Sequence, residues 1–400
     1  MNKLPDGWEE KYIEEVFEIR KNYTNARKDL DNNSNISYLH YGDIHKYYQH
    51  KLDCKNISLP KISENKLSKD INKLELVKNG DLIVVDVSED YKGICSSVEV
   101  KNLSYKLVSG LHTLLLRDKG NYFADGYKGY IFYNHNVHKE CCKVATGISV
   151  YGINRKNLKK IKIPIPPLDE QKRIASALSK IDAYLENTIK LIEEKERFKR
   201  GIAKKLLTCK EGENIPEARF KGFEDEWETI MLGDILSYEQ PKDYIVKSEE
   251  YNNKYKYPVL TAGKTFILGY TNEEFGIYNK LPVIIFDDFT TDAQYVDFPF
   301  KVKSSAIKIL KSKYYNTKLI YELIKNIKFN ARTHKRYYIS EYQYLKIKIP
   351  KSIKEQEKIG GYLSLLDEEI DNLKKQKELI KEMKRGAMQK LLSGEVRLLE

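Results

Sequence analysis

The run Ile163-Pro164-Ile165-Pro166-Pro167-Leu168-Asp169-Glu170-Gln171-Lys172-Arg173-Ile174 has a second copy in outline. Ile347-Lys348-Ile349-Pro350 is followed by Glu355-Gln356 and another long amphipathic stretch. From the Glu-Gln pair onward the copies align without a gap at an offset of 185 residues, and roughly 15 of about 38 positions are identical. Ile174 meets Ile359, Leu178 meets Leu363, Asp182 meets Asp367, and Lys199-Arg200-Gly201 meets Lys384-Arg385-Gly386. Internal duplication of this kind decides the architecture before any local pattern does.

Ile174, Leu178, Ile181, Leu185, Ile189 and Ile192 step by three or four residues, and so do Ile359, Leu363, Leu366, Ile370, Leu373, Lys377 and Ile380. That spacing predicts two helices with a coiled-coil seam and Glu and Lys on the flanks. At about 35–40 residues each would be roughly 50–60 Å long. Pro164, Pro166 and Pro167 hold the preceding chain extended, because proline fixes φ and bars a continuing helix. Ser352-x-x-Glu355 predicts a capping box and Gly394 a C-terminal stop.

Working outward, Trp8-Glu9 corresponds to Trp227-Glu228 at an offset of 219, so the first variable segment is about 33 residues longer than the second. Residues 81–87, 113–116, 283–286 and 306–310 read as strands, and Leu319, Ile320, Leu323, Ile324 and Ile327 as one helical face. The expected fold is therefore two α/β (α+β) domains separated by two long antiparallel coiled-coil helices, a pseudo-two-fold internal repeat. The expected divisions are 1–160 for the first domain, 161–210 for the central helix, 211–346 for the second domain and 347–400 for the C-terminal helix.

Lys plus Arg total 70 against 58 Asp plus Glu, a net charge of +12, and Tyr numbers 30 against 13 Phe. Such a surface suits a polyanion, since phosphates want cations while Tyr offers hydroxyls and stacking faces. A Lys-, Asn-, Ile- and Tyr-rich composition from an AT-rich genome would give the same balance. The N-terminus has no apolar core of a signal peptide, and runs such as Leu82-Ile83-Val84-Val85 are too short for a bilayer. Cys54, Cys95, Cys141, Cys142 and Cys209 show no CxxC spacing, which predicts neither zinc site nor disulfide framework and suits a reducing cytoplasm.

Enzyme motifs fail on inspection. Gly263-Lys264-Thr265 mimics the end of a P-loop, but Pro258 stands where the first glycine is required. Glu170-Gln171-Lys172 has nuclease-like spacing, yet it opens a helix, where the dipole favours Glu. Ile165-Pro166-Pro167-Leu168 lacks the polar first residue of an adenine-methyltransferase tetrapeptide, and the seven histidines include no HExxH. No catalytic residue and no metal site is expected.

The stretches 163–174 and Ile347 to Pro350 with Glu355-Gln356, and the linker Ile215-Pro216-Glu217-Ala218-Arg219-Phe220-Lys221-Gly222-Phe223 leading to Trp227-Glu228, resemble specificity subunits of type I restriction–modification systems. The resemblance covers the whole chain. It implies a non-catalytic subunit whose two target-recognition domains bind double-stranded DNA, one half-site each. It also implies assembly with two methyltransferase subunits and with restriction/translocase subunits. S-adenosylmethionine, ATP and Mg would then sit on the partners, with no cofactor on this chain.

Residues expected to meet DNA are basic, amide and aromatic clusters in loop-like stretches. The first domain offers Tyr38, His40, Tyr41 and Asp43, then Lys143, Thr146, Gly147, Tyr151 and Arg155. The second offers Lys264, Tyr270, Asp287, Asp288 and Thr290, then Arg332, Thr333, His334, Lys335, Arg336 and Tyr337. The second set resembles the family's strand, Asp and Thr with a later basic cluster, departing from it at Phe289, where His is common. Any one of these residues could instead only solvate a surface. A scaffold of two protein-binding domains spaced by a coiled coil would carry the same repeat.

Overall fold

Pro164 lies in a short strand, Lys162–Ile165, paired antiparallel with Glu9–Tyr12 so that Pro164 faces Glu10. In a two-stranded pair one edge is open, so a residue without an N–H is tolerated there. The second copy repeats the pairing, with Lys346–Ile349 against Glu228–Met231.

The computed structural model describes residues 4–48, 50–55, 57–67, 73–263, 265–331 and 335–399. The chain divides into one unit of Met1–Thr188 with Gln376–Glu400 and another of Ile189–Lys375. In the first, a five-stranded sheet runs in the order Phe17–Arg20, Thr113–Asp118, Leu82–Val85, Ser97–Lys101, His50–Asp53. Leu82 and Val84 face a core with Leu114, Leu116, Ile174, Leu178, Leu391 and Leu392. Ile83 and Val85 face a second core with Val98, Val100 and Leu115. Alternate residues point to opposite faces, so a strand covered on both sides reads as an unbroken apolar run.

The second unit has a four-stranded sheet in the order Leu236–Glu239, Ile307–Ser312, Val283–Asp287, Ala293–Val296. Ile284 and Phe286 pack with Leu310, Ile359, Leu363 and Leu366, while Val283 and Ile285 pack with Ile309 on the other face. The helix Thr317–Asn326 covers the first of these faces and is capped by Asn316, whose side-chain oxygen accepts from the Leu319 N–H at 2.9 Å.

Four strands of the first sheet correspond in order to the four of the second, and His50–Asp53 is an added edge strand. Leu82 pairs Leu116 as Ile284 pairs Leu310, and Leu116 pairs Ile19 as Leu310 pairs Tyr238.

The long helices are Leu168–Leu207, of 40 residues, and Ile353–Ser393, of 41. In the first unit Asp182 meets Lys384 at 2.6 Å and the Gln376 amide donates to the Tyr184 hydroxyl. In the second, Lys195 meets Glu369 at 2.6 Å, Glu196 meets Lys374 at 2.7 Å and Lys199 meets Asp367 at 2.5 Å. Numbers rise along one helix as they fall along the other, so the pairing is antiparallel.

The apolar seam differs from expectation in two ways. Ile174, Leu178, Ile359, Leu363 and Leu366 belong to the cores beneath the sheets rather than to a helix–helix seam alone. Ile189 is 37% exposed and Thr188 is buried in its place, its hydroxyl donating to the Tyr184 carbonyl at 2.9 Å. A 3.5-residue period running through Ile181, Leu185 and Ile192 selects 188 rather than 189. Ile192, Ile370 and Ile380 are buried, and Ile181, Leu185 and Leu373 partly so.

The Glu-Gln pairs are anchors. Glu170, Gln171, Glu355 and Gln356 are all almost wholly buried. The Trp8 indole N–H donates to Glu170 at 2.9 Å and that of Trp227 to Glu355 at 3.3 Å. Arg397 binds Glu170 through two nitrogens at 2.6 and 2.7 Å, and Arg219 binds Glu355 through two at 2.8 Å, the bidentate geometry that makes such pairs strong. Gln171 donates to the Pro166 carbonyl at 2.8 Å and Gln356 to that of Pro350 at 2.7 Å. The expected capping box is therefore only half formed. Ser352 Oγ accepts from the Glu355 N–H at 3.4 Å, but the Glu355 carboxylate is held by Arg219 and Trp227.

Glu395-Val396-Arg397-Leu398 is thus a structural repeat of Glu217-Ala218-Arg219-Phe220. The Val396 N–H returns to the Lys390 carbonyl as the Ala218 N–H returns to that of Lys205.

Candidate nucleic-acid interface

In the first unit the candidates gather where Leu82–Val85 ends. The Asp86 N–H donates to the His112 carbonyl at 3.2 Å, and the Asp86 carbonyl accepts from Ile153 at 2.8 Å. These bonds bring the loop 110–112 and the segment 151–155 beside the strand end. The Tyr41 ring stands edge-on to His112 and His45, with centroids 5.3 and 6.0 Å away, and lies 4.5 Å from His40. Arg155, exposed, donates to the Asn22 side chain at 2.6 Å. Tyr151 stacks on Tyr91 at 4.0 Å.

The remaining expected residues divide by burial. Tyr38 is fully buried, its single O–H shared between the carbonyls of Asn25 at 2.9 Å and Tyr23 at 3.1 Å while its oxygen accepts from the Leu111 N–H at 2.7 Å. Burial pushes its phenol up to about 12. Tyr38 therefore shapes the loop and has no face left for a ligand. His40 and Asp43 are also buried and cap the helix Tyr41–Tyr47 reciprocally. Asp43 additionally binds Arg27 at 2.7 Å. Burial, and then the charge of Arg27, push the His40 imidazole below its ordinary value, which favours the neutral ring whose Nδ1 accepts from the Gly42 N–H. Lys143 is exposed and paired with Glu140 at 2.6 Å. Thr146 opens an exposed tip in which Gly147 has φ 138 and Ile148 is 94% exposed.

In the second unit the equivalent strand end carries Asp287, whose Oδ1 accepts from the N–H groups of Phe289 and Thr290 at 2.9 Å each. This turn projects Thr290, exposed, and places the Phe289 ring 5.8 Å from the Arg336 guanidinium, a cation–π arrangement. Phe289, set aside in the sequence only as a departure from His, is thus the platform for Arg336. Lys335 pairs with Glu341 and stands 5.4 Å over the Tyr337 ring. Tyr337 and Asp288 are buried and tie the basic segment down, the Tyr337 N–H donating to the Asp288 carbonyl at 2.8 Å.

A cavity of about 520 Å³ adjoins this turn, with Gly263, Thr290, Gln294, Lys325 and Phe329 on its wall. Tyr270 lies apart, half-buried in the small sheet of Ile267–Thr271, Tyr257–Leu260 and Lys301–Val302. Lys264, Arg332, Thr333 and His334 lie outside the described residues.

Sequence reasoning missed Asp86, His112, His45 and Asn22. The available signal was the apolar run Leu82-Ile83-Val84-Val85-Asp86, which matches Ile284-Ile285-Phe286-Asp287-Asp288 at an offset of 202. Among the described residues, no group of three or more His, Cys, Asp or Glu side chains is arranged to hold a metal ion, and no helix is long and apolar enough to cross a membrane.

A family model described as the type I restriction modification DNA specificity domain matches the chain twice, over residues 5–194 and 224–382. The chain is 51% identical over 141 residues to the type I restriction enzyme EcoR124I/EcoR124II specificity subunit of Escherichia coli, a match that spans 34% of either chain. It is 28% identical over 426 residues to the putative MjaX specificity subunit of Methanocaldococcus jannaschii, covering 100% of this chain and 96% of that one. Its fold is similar to that of the type I restriction–modification S subunit from M. genitalium, with a TM-score of 0.62 at 18% identity over 98% and 97% of the two chains.

Proposed function

The chain belongs to the type I restriction–modification DNA specificity family, with the family's domain present twice, and on that premise we propose that each domain reads one half of a bipartite, asymmetric DNA site. The observation that supports this best is the strand-end surface. Beside the equivalent strand ends at Asp86 and Asp288 stand Tyr41, His45, His112 and Arg155 in one unit and Phe289, Thr290, Lys335 and Arg336 in the other. One scaffold with two unlike sets of side chains is what two unlike half-sites require.

The division of labour we propose assigns reading to 1–160 and 211–346, and spacing and subunit contacts to the helices within 161–210 and 347–400. Cations on these surfaces would position the chain on phosphates, while amide, carboxylate and guanidinium groups read base edges in the major groove. The chain itself is non-catalytic. Two methyltransferase subunits bound to it in the cytoplasm would supply modification, and restriction/translocase subunits cleavage. S-adenosylmethionine, ATP and Mg would reside on those partners.

The test is competition binding of the full chain with its methyltransferase subunit to a selected duplex. Scrambling either half-site alone should weaken binding, and scrambling the bases between them should not. Equal binding to every duplex would leave the chain a scaffold rather than a reader.

A further inference from the structure

Asp86 and Asp288 occupy the same place in the two domains. Each is the residue at which the central strand leaves the sheet. Each donates its N–H to the carbonyl just before the neighbouring strand, His112 at 3.2 Å and Ala306 at 3.0 Å. Each accepts on its carbonyl an N–H from the later loop, Ile153 at 2.8 Å and Tyr337 at 2.8 Å. The ladders agree, since Val84 pairs Leu114 as Phe286 pairs Lys308.

Their side chains differ in what they are given. Asp288 Oδ1 accepts from the Tyr338 N–H at 2.8 Å and Oδ2 faces the buried Lys308 ammonium at 3.2 Å, leaving 2% of the side chain exposed. At Asp86 the position of Lys308 is taken by Leu114, which is apolar. What faces the carboxylate instead is the His112 ring, Nδ1 3.4 Å from Oδ1, and Oδ1 receives no well-aligned hydrogen bond from the described residues. The Asp86 side chain keeps 23% of its surface open and His112 43%. A carboxylate oxygen buried without a well-aligned donor is unfavourable. A buried polar atom that the fold leaves unsatisfied calls for an explanation, and a donor from a bound partner is one.

The surroundings select what that something is. Exposed His45 and Arg155, the open His112 ring and the Tyr41 face form a surface suited to phosphate and base. A carboxylate within it repels phosphate, so it serves a hydrogen-bond donor instead. In the major groove the donors are the exocyclic amino groups, N4 of cytosine and N6 of adenine. Resting on the DNA-reading function proposed above, we infer that Asp86 is a specificity-determining residue of the first domain. It accepts a hydrogen bond from the exocyclic amino group of one base in the first half-site, with His112 as its positioning residue. Burial pushes the Asp86 carboxyl above its ordinary value, while His112 and Arg155 pull the other way, and an amino donor would add to their pull.

Two measurements on the full chain, assembled with its methyltransferase subunit, decide this. Selection from randomised duplexes with Asp86→Asn should change one base pair of the first half-site and leave the second intact. Where that base is cytosine, preference for it should fall roughly 5- to 150-fold, the range of one good base contact, and move toward adenine, which a carboxamide pairs bidentately; where it is adenine, the preference should sharpen instead. His112→Ala should blur the same base pair without choosing a new one. An unchanged profile, or equal weakening on every duplex with unchanged melting, would overturn the assignment.

The second measurement uses wild-type protein and so does not depend on the variant folding. Cytosines and adenines of the first half-site are replaced one at a time by 2-pyrimidinone or unsubstituted purine, which lack the amino group. One position should lose roughly tenfold or more in binding, and it should be the position altered by Asp86→Asn. If no first-half position needs its amino group, Asp86 does not read a base although the chain reads DNA. If wild type selects no sequence at all, the DNA-reading function falls, and this assignment with it.

Discussion

Lys384 Nζ lies 2.6 Å from Asp182 Oδ1, and the same pair recurs with the helices exchanged as Lys199 and Asp367, 2.5 Å apart. Lys199 and Lys384 are equivalent positions of the repeat, and so are Asp182 and Asp367. Each antiparallel contact therefore joins one residue type on the central helix to the other on the C-terminal helix. The two pairs differ in support. Lys384 and Asp182 are both about nine-tenths buried, and Tyr130 also donates to Asp182 at 2.7 Å. Around Lys199 stand Asp367, Glu322 and Lys318, a network in which Lys318 meets Glu322 at 3.1 Å and Asp367 at 2.7 Å. Removing one partner of a buried pair leaves an uncompensated charge. Lys384→Met should therefore cost about 3 kcal/mol. Lys199→Met should cost nearer about 1–2 kcal/mol, because Lys318 still serves both carboxylates. Urea unfolding followed for each unit checks the order.

Stability should fall in acid through Glu170. Burial pushes its carboxyl up, but the Arg397 guanidinium and the Trp8 indole outweigh burial and hold it below the ordinary 4.5. Asp367 behaves alike, with Lys199 and Lys318 outweighing burial to hold it below the ordinary 3.8. A depressed carboxylate contributes stability that is complete above its unfolded value and lost as pH falls through the folded one. The melting temperature should thus hold from pH 7 to about 5 and decline below about 4.5. Glu170→Gln should lower the plateau and flatten the first part of that decline. A melting curve whose acid limb is unchanged in the variant would remove Glu170 from this role.

Asp288→Asn should act on folding, in contrast to its counterpart Asp86. The carboxylate is completed inside the domain by Lys308 and the Tyr338 N–H. Neutralising it strands the Lys308 charge and should destabilise the second unit by about 3 kcal/mol. The half-site read by whatever protein remains folded should not change. Calorimetry paired with binding selection separates the two effects.

Arg336→Ala should weaken or relax only the half-site read by the second domain, by roughly 1–3 kcal/mol if the guanidinium meets a base. Phe289→Leu should give a smaller loss at the same position, roughly 0.5–1 kcal/mol, because it removes the platform and leaves the charge. Equal weakening on all duplexes, together with a shallower salt dependence, would make Arg336 a phosphate contact.

Gly201 and Gly386 are equivalent residues inside the long helices, and a Cβ at either meets nothing within 4 Å. Helix-interior glycine is less favourable than alanine by about 1 kcal/mol. Gly201→Ala and Gly386→Ala should each raise the stability of the isolated chain by about 0.5–1 kcal/mol. A loss in the isolated chain would mean that the helix needs the freedom of glycine there.

The long helices and their prolines were legible because their constraints repeat. Each Glu-Gln pair must meet a Trp, an Arg and a proline carbonyl, so few substitutions survive and the 185-residue offset stands out. The sheets were legible as elements but not as counterparts. Leu82-Ile83-Val84 and Ile284-Ile285-Phe286 need only be apolar, and the offset drifts from 219 to 202 to 194 as loop lengths change. The tail equivalence of Arg397 and Arg219 was hidden because only Glu and Arg are shared across four residues.

At the candidate site, residue type did not separate scaffold from surface. Tyr38, His40, Asp43, Asp288 and Tyr337 have the chemistry of ligand contacts, yet burial commits them to holding the loops. Asp86 and His112 are far apart in sequence and meet only through a strand pairing, which no local pattern announces.

The central claim is that the chain reads two unlike half-sites, one per domain. The most direct measurement is sequencing of modified adenines in DNA from cells expressing the full chain with its methyltransferase subunit. Two different half-site sequences separated by a fixed run of unread base pairs, with modification on both strands, is the predicted result. Exchanging residues 211–346 for those of a relative should change one half only. A single continuous motif, or modification independent of sequence, would contradict the account.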